Sequence, residues 1–160
     1  MNTRAKLEEI LNKCSSAAYR GNAAFLLAHS QFEPKQLIAL LEPSIDDPSL
    51  EVRNNSMRVI YYLIRKDPKL NLDLDKVIKA LYYPTNTDRN KAIVILRSLP
   101  RESFTKQQII SIAPILISCV DQGDHNAGNA NQVLQQLSGK DFSRNEISLW
   151  KNWYQEFAAN

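Results

Sequence analysis

Glycine is scarce in this 160-residue chain, with four residues at positions 21, 123, 128 and 139. So few leave no Gly-rich loop to cradle a phosphate and disfavour a β fold built on many tight turns. Cysteine is scarcer: Cys14 and Cys119 give neither a metal-ligand spacing nor a disulfide framework. Only His29 and His125 offer an imidazole for acid–base chemistry. No long hydrophobic run exists either. The most apolar window, Ile109 to Val120, is interrupted by Ser111, Pro114 and Ser118, and it falls short of the roughly twenty residues a bilayer span needs. The first ten residues carry Glu8 and Glu9 where a secretory signal would place its apolar core. These absences argue against a secreted disulfide scaffold, a zinc finger and a membrane protein. The expectation is one soluble, cytoplasmic domain.

What is present is apolar and helical. Hydrophobic residues make up 44% of the chain and charged ones 23%, enough for a core and too apolar for disorder. The net charge of +3 hides an asymmetry: residues 1–50 carry −1, 51–101 carry +6 and 102–160 carry −2. Apolar side chains recur at i, i+3, i+4, i+7, as in Leu7, Ile10, Leu11, Cys14 and again in Leu74, Val77, Ile78, Leu81. Thr105-x-x-Gln108 and Ser143-x-x-Glu146 read as capping boxes, Pro34 suits a first helical turn and Gly139 a C-terminal cap. The pattern predicts nine helices, near 3–14, 17–29, 34–44, 49–66, 73–83, 87–99, 105–120, 126–138 and 143–157, and no strand.

The breakers are periodic. Pro34, Pro68 and Pro100 lie 34 and 32 residues apart, while Pro48, Pro84 and the Gly123 turn lie 36 and 39 apart. One breaker between helix pairs and one inside each pair is the punctuation of a two-helix repeat. Laid over one another, the second helices align Ser56, Ala92 and Ala130 as small residues, each followed at +7 by Leu63, Leu99 or Leu137. A small residue lets two helices approach, and the leucine returns to the same buried stripe.

Asp47-Pro48-Ser49-Leu50-Glu51-Val52-Arg53-Asn54-Asn55-Ser56 resembles the turn and second-helix start of HEAT repeats, the units of certain α-solenoids. Asp121 to Ala130 keeps the Asp and the small residue. The middle copy has Tyr83 in the Asp position and Asp88 in the Val position but retains Arg89 and Ala92. Pro114 matches a proline often found in the first helix of such repeats, and the ending with Trp150-x-x-Trp153 is similar to their C-terminal capping segments. The resemblance implies a short right-handed α-solenoid of about four antiparallel helix pairs, near 3–30, 34–66, 73–99 and 105–138, closed by a capping helix near 143–157. It further implies that Asp47, Arg53, Arg89 and Asp121 link adjacent repeats, and that the second helices line one surface.

No catalytic constellation emerges. His29 falls at a helix end, where a cation suits the dipole. His125 lies in Asp121-Gln-Gly-Asp-His-Asn126, which lacks calcium-loop spacing and reads as a polar turn. Asp73 and Asp75 read as helix-start residues. Neither cysteine has an adjacent His or Lys cluster to depress its thiol pKa, so a buried structural role is expected. No metal or other cofactor is therefore expected, nor an enzyme. One surface survives this sorting. On the helix near 49–66, the side opposite Val52, Ser56, Val59, Ile60 and Leu63 carries Asn54, Arg58, Tyr61 and Arg65, at about 100° per residue. The next second helix offers Asn90, Val94 and Arg97 at aligned positions, with Arg101 beyond Pro100 in the loop. Arginine forks and a tyrosine ring are common interface anchors, although a charged helix face is often merely solvated. The expectation is a binding module whose partner is an acidic protein, engaged through Asn54, Arg58, Tyr61, Arg65, Asn90 and Arg97. Nucleic acid, motivated by the +6 block, ranks second. An accessory, lyase-like repeat protein ranks third.

Overall fold

Turn chemistry and apolar stripes together set where each helix begins and ends. The computed structural model describes residues 3–159, and among these the chain forms nine α-helices and no strand. They are α1 (Thr3–Lys13), α2 (Ala17–Leu27), α3 (Pro34–Leu41), α4 (Leu50–Lys66), α5 (Leu74–Ala80), α6 (Asn86–Arg97), α7 (Lys106–Asp121), α8 (Ala127–Ser138) and α9 (Ile147–Ala159). Short 3-10 turns follow α3, at Glu42–Asp46, and α6, at Arg101–Ser103.

Several boundaries have the expected chemical cause. Pro34 occupies the first turn of α3. Thr105 and Gln108 form the reciprocal capping box at the start of α7, and Asp73 accepts the Asp75 N–H at the start of α5. Gly139 ends α8 at φ 69°, in the left-handed region that a side chain would resist. Two boundaries depart from expectation. Helix α3 stops at Leu41, and the chain tightens into the 3-10 turn around Pro43, whose missing N–H cannot continue the α-helical ladder. The last helix starts at Ile147 rather than 143. Glu146 does accept the Ser143 N–H at 2.8 Å, but the Glu146 N–H is spent on the Ser143 carbonyl, so the box closes a turn ahead of the helix.

Packing follows the buried stripes. α1 lies against α2, α3 against α4, α5 against α6 and α7 against α8. The second members also touch in sequence, α2 on α4, α4 on α6 and α6 on α8. On the other side the 3-10 turn after α3 meets α5, and α5 meets α7. Ser56, Ala92 and Ala130 are all fully buried, as the register of small residues requires. Beyond α7 lies α9, which buries Trp150 and Trp153 against the core. The Trp150 indole donates to Asn131 Oδ1 at 2.9 Å, and its ring meets Phe142 edge-on at 5.0 Å. A fully buried indole N–H needs such a partner. No helix among the described residues is long and apolar enough to cross a membrane.

Candidate functional site

Two sets of arginines occupy the second helices, and they are treated differently by their surroundings. The first set sits at the turns. Arg20 on α2 forks onto both carboxylate oxygens of Asp47 at 2.9 Å and donates to the Cys14 and Ser15 carbonyls of its own turn. Arg53 on α4 does the same one pair later, forking onto Asp88 at 3.1 and 2.7 Å and donating to the Asp47 and Pro48 carbonyls. Arg89 on α6 completes the series more loosely, 3.9 Å from Asp124, with a bond to the Leu81 carbonyl. Each guanidinium therefore closes its own turn and clasps the next helix pair.

This series corrects two expected positions. Asp88 is fully buried on the Arg53 fork, so the middle copy supplies its acid from inside α6. Thr85 caps that helix and holds Asp88 through its hydroxyl at 2.8 Å. Tyr83, which stands in the turn position, stacks beneath the Arg53 guanidinium at 5.0 Å and donates to Asp46. At the last link the acid is Asp124, not Asp121. Helix α7 runs through Asp121, which pairs with Lys151 of α9 instead. Asp124 lies past the Gly123 turn and accepts the Asn126 N–H, as Asp47 accepts that of Ser49.

The second set is the candidate face. Arg58, Tyr61 and Arg97 are half-buried and Arg65 is exposed. Arg65 donates to the Tyr61 hydroxyl at 3.4 Å, with its guanidinium 5.9 Å from the ring. That bond, reinforced by the charges of Arg65 and Arg97, lowers the Tyr61 phenol from its ordinary pKa. Arg97 reaches across to α8, donating to Asn129 Oδ1 at 2.6 Å and Gln132 Oε1 at 2.8 Å. No carboxylate among the described residues lies within 4 Å of a cationic nitrogen of Arg58, Arg65 or Arg97.

Lys91 joins this cluster and was not expected from the sequence. Burial and the nearby Arg58 charge depress its ammonium pKa, while Tyr61 acts in the opposite direction. The aligned position on α4 is Asn55, which turns into the helix seam and donates to the Gly21 carbonyl. The register therefore marks Lys91 as a seam residue.

The remaining candidates separate from the cluster. Asn90 turns inward, its amide donating to Asn126 Oδ1 at 2.9 Å. Asn54 Oδ1 is buried and meets no donor among the described residues. Arg101 is a fastener, bonding the Leu137 carbonyl at the end of α8 and the Phe104 carbonyl. The structure thus joins Tyr61 to Arg65 and turns Asn90 away to Asn126. Elsewhere, burial pushes the Cys119 thiol up to about 11, away from nucleophilic reactivity. Comparison with protein-family models, with curated proteins and with solved structures finds no match.

Proposed function

We propose that this chain is a short right-handed α-solenoid of HEAT-like helix pairs, acting as a non-catalytic module that binds an acidic segment of a protein partner. The contact sequence of the second helices, together with the side-by-side packing of α5 and α7, supports the solenoid reading. The binding reading rests on one observation. Arg58, Arg65, Lys91 and Arg97 on α4 and α6 form no ion pair among the described residues, whereas Arg20, Arg53 and Arg89 each form one. Positive charge gathered without internal compensation favours an incoming anion and speeds its encounter. Tyr61, half-buried among these cations, adds apolar area and a hydroxyl, which makes it the natural anchor.

The test is fluorescence anisotropy with a labelled glutamate- and aspartate-rich peptide, comparing the wild-type chain with Arg58→Glu/Tyr61→Ala. The expected result is saturable binding that the double variant loses, with the melting transition nearly unmoved. Wild-type protein that ignores the peptide, or a double variant that binds normally, would defeat the proposal. A gel shift with duplex DNA across a salt series separates the nucleic-acid reading, which demands strong, steeply salt-dependent binding.

A further inference from the structure

Helix α8 and the turn ahead of α9 enclose a polar cavity of about 480 Å³, lined by Gly128, Asn131, Gln132, Gln135, Ser143 and Arg144. The volume lies within the roughly 300–1,000 Å³ usual for ligand sites. The fold fixes how each amide faces it. Asn131 is buried and fully spent, accepting the Trp150 indole N–H and donating to the Phe142 carbonyl at 3.2 Å, so it forms a rigid wall. Gln132 accepts from Arg97 through Oε1 at 2.8 Å, which leaves its Nε2 to donate. Gln135 is set the opposite way. Its Nε2 donates to Asp141 Oδ1 and to the Phe142 carbonyl, both at 3.1 Å, which leaves its Oε1 to accept. Arg144 is exposed and forms no ion pair among the described residues. The two acids of the same turn are engaged elsewhere, Asp141 by Gln135 and Glu146 by the Ser143 N–H.

We propose that this cavity binds the C-terminal carboxylate of a polypeptide. The inference goes beyond the acidic-segment reading and does not depend on it, because neither Arg58 nor Tyr61 lines the cavity. Arg144 supplies a guanidinium fork that matches the two oxygens of a carboxylate, and Gln132 Nε2 adds a neutral donor. Gln135 Oε1, three residues along the same helix face, calls for an N–H close to that carboxylate. A chain terminus has this pairing built in, since the last residue carries its amide N–H and its carboxylate on one α-carbon. A glutamate or aspartate side chain holds its carboxylate further from its own N–H and on a flexible stem. A phosphate brings no N–H at all, and a free amino acid brings an ammonium that no carboxylate in the lining would pair. At Gly128 a Cβ would meet nothing within 4 Å, so the cavity keeps room for the terminal side chain.

The experiment titrates the intact chain, labelled with nitrogen-15, with three N-acetylated tetrapeptides. The first is all alanine with a free carboxylate, the second is its C-terminal amide, and the third is an amide with one internal glutamate. The free acid is expected to give saturable shifts at the Gln132 and Gln135 side-chain amides and at the Gly128 N–H. Both amidated peptides are expected to bind at least about tenfold more weakly, the scale of one lost hydrogen bond to a charged group. Arg144→Gln is expected to weaken the free acid by about tenfold for the same reason. Gly128→Leu fills the cavity with a residue that favours a helix more than glycine does, so binding is expected to be lost while the melting temperature holds or rises. Lys35→Gln, exposed on α3 and outside the lining, is expected to keep wild-type affinity.

Equal affinity for the free acid and its amide would overturn the proposal. An internal glutamate that binds as tightly as the free terminus would overturn the terminal assignment. A free acid that gives no saturable shift, or that shifts only residues away from α8 and the turn at 143–144, would remove the site. Wild-type affinity in Arg144→Gln, or in a folded Gly128→Leu, would do the same. None of these results touches the acidic-segment proposal, because the alanine peptide carries no acidic run for Arg58 and Tyr61 to hold.

Discussion

The turn arginines and the face arginines occupy the same helices, only a few residues apart, yet one set is ion-paired within the fold and the other is not. Arg53 and Arg58 show the contrast most directly. Arg53 makes four hydrogen bonds, two to Asp88 and one each to the Asp47 and Pro48 carbonyls, and lies over the Tyr83 ring. Arg58, five positions along α4, meets no acid within 4 Å among the described residues. The lesson is that arginine content says little by itself. What separates a fastener from a binding group is whether the chain supplies the anion, and that is a property of the neighbouring helix pair.

The largest expected effect falls on the tightest clasp. Arg53→Ala leaves a fully buried Asp88 without its cation and opens the turn carbonyls of Asp47 and Pro48. Removing one partner of a buried pair costs about 3–5 kcal/mol, so a urea titration is expected to show a loss of that order. Arg20→Ala is expected to be next, because its fork on Asp47 is bidentate but more exposed. Arg89→Ala should cost least of the three, its distance to Asp124 being 3.9 Å. Equal losses at Arg53 and Arg89 would break the graded clasp described here.

A pH series sharpens the same comparison. Burial would raise the Asp47 pKa, but the Arg20 fork, the Ser49 N–H and the Arg20 and Arg53 charges outweigh it, so the carboxyl titrates below its ordinary value. A group depressed in the folded state contributes stability that is full above its unfolded pKa, about 3.9, and is lost as pH falls through the folded value. Stability should therefore fall with acidification below about pH 4. Asp47→Asn is expected to flatten that slope, whereas Arg58→Glu/Tyr61→Ala should retain it, since neither face residue touches a depressed carboxyl. A slope identical in wild type and Asp47→Asn would remove the clasp from the account of acid sensitivity.

Much of the helical frame was legible in sequence because its causes are local. The box at Thr105 and Gln108, the proline at position 34 and the left-handed glycine at 139 each act within a few residues, and each is found where expected. The register of Ser56, Ala92 and Ala130 was legible too, since burial on one stripe repeats. Asp88 was not. Its role depends on Arg53, 35 residues earlier, and a carboxylate in a position expected to hold valine carries no local sign of that demand. Asp124 was missed because the end of α7 shifts the turn by three residues from the Asp121 alignment. At the face, helical periodicity placed Arg58, Tyr61 and Arg65 together, but it could not see that Asn90 turns inward to Asn126 or that burial and the Arg58 charge act on Lys91.

The smallest predicted change is also the one that separates a binding face from a structural one. Arg58→Gln removes a charge that has no internal partner and relieves its repulsion of Lys91. Surface substitutions away from buried networks usually stay within about 0.5 kcal/mol. Here the sign is expected to be neutral or slightly stabilising, because deleting one of two like charges lowers the energy of the free protein. The Lys91 ammonium should titrate closer to the ordinary lysine range in this variant, which nitrogen-15 detection of its Nζ resonance would register. Lost stability in Arg58→Gln would place Arg58 among the fasteners. Unchanged stability, with the Lys91 pKa raised, is what a cation kept for an outside anion demands, because the fold then gains nothing from the charge it holds.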